Sequence, residues 1–242
     1  MQWRSDPDFP YFAIGRREIA LHRGIAKFAA PILEQIAHLP AGTEAGAGNR
    51  RSAFRLSVEG APEIFARRSR RGGLARFVSS DLYLGIEPRP MRELFVTREA
   101  LRRGIAVAEP LGAIVEWAAP ILYRGVFLTR AISGMTLWEF LCADDDPEVR
   151  SHVLAQARAA IATIHSRGLL HGDLNLNNLL VARKDESFSV IIIDLDKARL
   201  YEGPAPVAQR RADLARMMRS ARKLDPAGRH IDAAALAILC AN

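Results

Sequence analysis

The chain has 242 residues, 49% of them apolar and 25% charged, which suits one large domain or two intimate lobes with an ordinary globular core. Cys142 and Cys240 stand far apart and make neither a disulfide framework nor a metal-binding spacing, so a reducing compartment is expected. No run approaches the ~18 apolar residues of a membrane span, and Met1 to Pro10 lacks the apolar core of a signal peptide, so a cytoplasmic protein is expected.

The net charge of +7 is concentrated. Between Arg50 and Arg103 there are 13 Arg, no Lys and 6 acids, which is the whole of the excess, and Arg67-Arg68-Ser69-Arg70-Arg71 is its densest part. Such a field attracts phosphate, anionic lipid or nucleic acid. Aromatic residues are not interleaved with these arginines, so no nucleic acid is expected as a partner.

In chain order, helical periodicity runs from about Arg17 to Leu39, broken at Gly24 and Pro31, and predicts an N-terminal helical extension over residues 1–40. The Gly-rich stretch Ala41 to Gly48 follows. Ser52 to Glu59 and Glu63 to Arg68 read as strands on either side of a turn at Ala61-Pro62. Met91, Leu94, Phe95 and Leu101 recur at helical spacing from Arg89 to Arg103, and Gly104 ends that helix.

Ala113 to Trp117 and Gly125 to Ala131 are strand-like, and Ser133-Gly134 suggests a hinge between lobes. Asp144-Asp145-Asp146-Pro147 opens a helix that should reach Arg167, with Gly168 as its stop. A last helix pair is expected over about Ala208 to Leu224 and Asp232 to Cys240. Strands dominate the first half and helices the second. The expected fold is therefore α+β and bilobal, with a β-rich N-lobe over 41–132 and a mostly helical C-lobe over 133–242.

The densest chemical signal is His171-Gly172-Asp173-Leu174-Asn175-Leu176-Asn177-Asn178, followed by the apolar run Val190 to Ile193, which ends in Asp194. It resembles the protein-kinase catalytic loop H-R-D-x-x-x-x-N: Asp173 and Asn178 keep the same offset, and Asp194-Leu195-Asp196 stands in the place of D-F-G. Leu179 to Ala182 and Ser189 to Ile193 read as a hairpin with a four- or five-residue connection turning between Asp185 and Glu186. That register pairs Asn178 with Ile193 and brings Asn178 and Asp194 to one end of the hairpin. Mg²⁺ takes few protein oxygens beside phosphate and water, so one Asn and one Asp suffice. Asp173 would accept the proton of an acceptor hydroxyl.

The order of motifs is similar to that of the lipopolysaccharide kinases, in particular the 3-deoxy-D-manno-octulosonic acid (Kdo) kinases. The matching pieces are Arg67 to Leu74, Met91-Arg92-Glu93-Leu94, His171 to Leu180, Ile192 to Arg199, and the helix from Asp213 to Leu224. The resemblance covers about residues 41 to 225. It implies a protein-kinase-like fold and transfer of the ATP γ-phosphoryl group, with Mg²⁺, to a sugar hydroxyl of the lipopolysaccharide inner core. It makes Asp173 the base, Asn178 and Asp194 the metal ligands, and Glu93 the acid on the N-lobe helix, with Glu99 as a second candidate.

The chain departs from the kinase pattern in two places. Its four lysines, Lys27, Lys184, Lys197 and Lys223, all miss the N-lobe strands, and Arg67 takes the place of the phosphate-binding Lys, with Arg68 one register away. Gly46-Ala47-Gly48-Asn49-Arg50-Arg51 offers only two glycines, Gly46 and Gly48, for a phosphate cradle, with Arg50 adding charge.

Three functions follow. One is a Kdo-type kinase whose partner is an anionic glycolipid and which sits peripherally on the anionic inner face of the cytoplasmic membrane. Another is a small-molecule phosphotransferase of the aminoglycoside-kinase type, which shares the H-G-D-x-x-x-x-N loop. The third is a pseudokinase that binds without transfer. His171 is expected to fix the catalytic loop, and His165 to cap or pack at its helix end.

Overall fold

The structure is a computed structural model that describes residues 6–39, 53–68, 82–144, 146–184 and 187–240. Gly46, Gly48, Arg50, Arg51, Arg70 and Arg71, and with them the expected Gly-rich loop, lie outside the described residues. Two compact units divide the chain: residues 1–98 with 109–131, and residues 99–108 with 132–242.

Unit 1 is a seven-stranded antiparallel sheet in the order β1-β2-β6-β7-β4-β3, with β5 also paired to β7. The strands are β1 (Tyr11–Ile14), β2 (Arg17–Leu21), β3 (Ala53–Leu56), β4 (Ile64–Arg68), β5 (Tyr83–Leu84), β6 (Pro110–Ala119) and β7 (Leu122–Arg130). Helix α1 (Ala29–His38) contributes Ile32 and Ile36 to a core with Ile19, Leu21, Leu56, Ile64 and Ile114. Helix α2 (Arg89–Arg102) contributes Met91 and Leu94 to another with Ala20, Ala113, Val115, Tyr123 and Phe127. Strand neighbours such as Ile114 and Val115 thus serve opposite faces, as the two-residue period of a strand requires. A sheet covered on both sides explains why β6 and β7 read as nearly unbroken apolar runs.

The helix expected from Arg17 is replaced by strand over Arg17–Leu21, and helix begins only at Ala26, as a 3₁₀ turn (Ala26–Phe28) that leads into α1 at Ala29. The reason is tertiary. Arg17 to Leu21 pairs residue by residue with Glu116 to Gly112 of β6, and the pairing places Ile19 and Leu21 on one core and Ala20 on the other. A short apolar segment beside an open strand edge gains a complete ladder there. Pro31 falls in the first turn of α1, where its missing N–H costs nothing.

Unit 2 holds the helices α3 (Leu137–Ala143), α4 (Pro147–Ser166), α5 (Val207–Leu224) and α6 (Ala233–Cys240). It also holds a three-stranded sheet, β11 (Ser187–Ile192), β10 (Leu179–Lys184) and β8 (Met135–Thr136), and the pair β9 (Leu169–Leu170) with β12 (Arg199–Leu200). The helix starts are written in the sequence. Thr136 and Glu139 form a reciprocal capping box on α3, and Asp146 accepts the N–H groups of Glu148 and Val149 with Pro147 behind it on α4. α4 stops as expected at Gly168, whose φ of 77° only glycine takes without strain. Val153, Ala157, Ile161 and Ile164 form its buried stripe.

Candidate active site

The candidate catalytic segment, His171 to Asn178, begins where β9 ends. The hairpin register is the one the sequence predicts: Leu179 faces Ile192, Lys184 faces Ser187, and the Ile193 N–H donates to the Asn178 carbonyl at 3.1 Å. The strands run closer to the tip than expected, to Lys184 and from Ser187, and the expected turn at Asp185 and Glu186 lies outside the described residues. Asn178 and Asp194 therefore stand one step apart at the base of the hairpin.

Asp173 is held from both sides. Its carbonyl accepts the side-chain amides of Asn175, at 2.8 Å, and Asn178, at 2.9 Å. Its N–H donates to Nδ1 of His171 at 3.3 Å. Since Nδ1 accepts, the hydrogen of the neutral imidazole is on Nε2, which faces the Ile193 carbonyl at 3.1 Å. His171 is fully buried and ties the loop to the strand before Asp194, the structural part expected of it.

One carboxylate anchors this loop from a distance. Asp213, buried on α5, accepts the backbone N–H groups of His171 (2.8 Å) and Gly172 (3.0 Å), with His165 Nε2 at 3.5 Å. Burial pushes its carboxyl up. The His165 contact and the two backbone donors outweigh that and hold it below the ordinary carboxylate range. No catalytic motif marks Asp213 in the sequence, where it is the first residue of the matching helix from Asp213 to Leu224. A signal was present: Asp213, Met217 and Ala221 recur every four residues on the buried stripe of α5, so an acid lies on an apolar face.

Gly172 replaces the kinase Arg for a steric reason. Its φ is 75°, and a Cβ there would lie 2.6 Å from the Lys197 carbonyl oxygen. The turn carrying Lys197 follows Asp194, whose φ of 65° is the left-handed conformation that Asp tolerates better than most residues. Lys197 Nζ lies 2.7 Å from Asp173 Oδ2. This pair joins residues 24 apart and had no sequence signal of its own.

The donor set suits a divalent cation. The Asn178 amide nitrogen donates to the Asp173 carbonyl, so its oxygen is the atom that could ligate a metal, and Asp194 is the carboxylate that could join it. Among the described residues no group of three His, Cys, Asp or Glu that could hold a metal comes together. Two oxygens with phosphate and water completing the shell match the habit of Mg²⁺ rather than of Zn²⁺.

In unit 1, Arg67 Nη2 reaches Glu93 Oε1 and Oε2 at 2.5 Å each. Glu93 is 3% and Arg67 24% exposed, so the pair is largely withdrawn from water. Arg68 turns to the other face and donates to the Ile36 carbonyl of α1 at 3.0 Å. Glu99 pairs at 3.0 Å with Arg103, one residue past the end of the same helix, both in the second unit. The geometry thus joins Arg67 with Glu93. Three of the six acids already counted in the segment's net charge, Glu63, Glu93 and Glu99, each pair with an arginine of that segment.

Comparison with known proteins agrees with this arrangement. Residues 42–236 match the model of the lipopolysaccharide kinase (Kdo/WaaP) family. A 3-deoxy-D-manno-octulosonic acid kinase of Xylella fastidiosa (strain M23) is 29% identical over 162 residues, covering 65% of this chain and 61% of that protein. Its counterpart in Pasteurella multocida (strain Pm70) is 33% identical over 131 residues, 52% of this chain and 53% of that protein. The chain thus spans about three fifths or less of these relatives' length. A solved structure of WaaP in complex with acyl carrier protein superposes with a TM-score of 0.55 at 16% identity, over 85% of this chain and 82% of that one. The fold is protein-kinase-like, as the resemblance of its motifs implied, and the chain belongs to the lipopolysaccharide kinase (Kdo/WaaP) family.

Proposed function

We propose that this chain transfers the γ-phosphoryl group of ATP to a hydroxyl of an anionic inner-core sugar, with Kdo on lipid A as the acceptor. The observation that carries the reading is the fixed cluster of Asp173, Asn178 and Asp194 on one loop and hairpin, braced by His171 and Asp213. A structural hairpin has no need of two carboxylates and a carboxamide at its open end.

Asp173 acts as the base: its carboxylate takes the acceptor hydroxyl proton, an effect typically worth about 10²–10⁴-fold. Asn178 and Asp194 hold the metal. When bound, Mg²⁺ neutralises charge on the phosphates and orients them. Arg67, kept in place by Glu93, grips the non-transferred phosphates, and its planar fork suits phosphate oxygens as well as carboxylate. The basic excess favours an anionic glycolipid and peripheral attachment to the inner face of the cytoplasmic membrane. Among the described residues no helix is long and apolar enough to cross a membrane.

One feature favours a binding module without transfer: Arg67 where a kinase carries Lys. The retained triad weighs against it. The test is incubation of the purified protein with labelled ATP, Mg²⁺ and Kdo–lipid A, with mass-spectrometric mapping of the product. Label on the Kdo residue that disappears with Asp173→Asn supports the proposal. An unlabelled glycolipid, or equal label with that variant, overturns it.

A further inference from the structure

We propose that Lys197 is a catalytic residue of the transfer: its ammonium binds the migrating phosphoryl group beside Asp173. This rests on reading unit 2 as a phosphotransferase site, and it adds a group that the loop motif lacks.

The segment His171 to Asn178 contains neither Lys nor Arg, and Asp173 is its one acid. Phosphoryl transfer spreads negative charge over the three peripheral oxygens of the migrating group, and catalysis consists largely of cations placed to meet that charge. The base must also sit where acceptor oxygen and phosphorus approach. A cation touching the base carboxylate is therefore within a few ångströms of the group in flight. Lys197 Nζ touches it, at 2.7 Å from Asp173 Oδ2.

The placement is built rather than incidental. The Lys197 backbone is seated against the loop so closely that only a glycine fits opposite its carbonyl, at Gly172. The turn is pinned by the Ala198 N–H on the Leu195 carbonyl at 3.1 Å, with both of those residues buried. The side chain itself is 55% exposed and that of Asp173 37%, so both remain open to a substrate. An exposed ion pair adds little to folding. A locked backbone presenting an exposed cation to a base is therefore poorly explained by stability and well explained by ligand binding.

In the step, the acceptor oxygen forms a bond to the γ-phosphorus as the bond from that phosphorus to the leaving ADP oxygen breaks, and the bonding pair departs with ADP. The acceptor proton passes to an Asp173 carboxylate oxygen. Lys197 keeps all three of its hydrogens and shifts from Asp173 to the phosphoryl oxygens, which frees the carboxylate for the proton. The flexible stem of Lys suits such a transfer of contacts better than the rigid fork of Arg.

The experiment compares wild type, Lys197→Met and Lys197→Arg with Mg²⁺-ATP and Kdo–lipid A. Lys197→Met should lower kcat by about 10²-fold or more, with the acceptor KM and the melting temperature nearly unchanged. Lys197→Arg should restore about tenfold of that loss, since charge is kept and shape is not. A Lys197→Met enzyme within about threefold of wild type in kcat, or an Arg variant no better than Met, overturns the assignment. If wild-type protein labels no glycolipid, the acceptor reading fails, and Lys197 is judged on the donor side by titrating Mg²⁺-ATP and Mg²⁺-ADP calorimetrically. A wild-type preference for ATP that Lys197→Met abolishes supports the role; any other pattern overturns it.

Discussion

Asp213 lies 42 residues beyond His171, yet its carboxylate accepts the backbone N–H groups of both His171 and Gly172, at 2.8 and 3.0 Å. The catalytic loop is thus held through its main chain by an acid on a different element. Local sequence alone would leave those two donors without an acceptor.

Replacement of Asp213 by Asn keeps the size but removes the charge and one acceptor oxygen. The variant should lose about 3 kcal/mol of stability and most transfer activity. Chemical denaturation and steady-state kinetics check both.

The same carboxyl sets an acid limit. Its folded pKa lies below the unfolded value, so its contribution is complete above the unfolded carboxylate value, ~3.9, and is lost as pH falls through the lower folded value. Urea midpoints measured from pH 6 down to pH 2 should show a steeper acid decline for wild type than for Asp213→Asn. Parallel curves would remove Asp213 from the account.

Gly172 should resist every substitution. Alanine there pays about 1–2 kcal/mol for its left-handed conformation alone, and its Cβ would force the Lys197 turn outward. Gly172→Ala should therefore unfold at lower denaturant and lose activity together. At Gly15, where φ is 59° but no atom lies within 4 Å of a Cβ, alanine should cost only the conformational part.

Arg67 and Glu93 should behave as one unit. Removing either partner leaves a withdrawn charge, a loss of about 3–5 kcal/mol, and a double-mutant cycle should show strong coupling. Arg67→Lys retains charge and loses the fork, so ATP affinity should fall more than stability. Equal and additive effects of the single changes would contradict the pairing.

A fold-only control lies in α3. Thr136→Ala removes the capping box and should cost about 1 kcal/mol, without changing the kinetics of protein that remains folded.

Much of this molecule is legible in the order of its residues, where the forces are local. The offset of Asp173 and Asn178, the hairpin that returns to Asp194, the cap at Asp146 and the glycine stop at Gly168 all act within a few residues, so turn chemistry and periodicity determine them. Contacts across long separations were settled only in three dimensions. Arg17 to Leu21 became strand because β6 offered a ladder. Arg67 rather than Arg68 met Glu93 because adjacent strand residues point to opposite faces, and the choice of face belongs to the packed sheet. Asp213 and Lys197 reached the catalytic loop from 42 and 24 residues away, a closeness that depends on how separate elements pack and not on the residues between them.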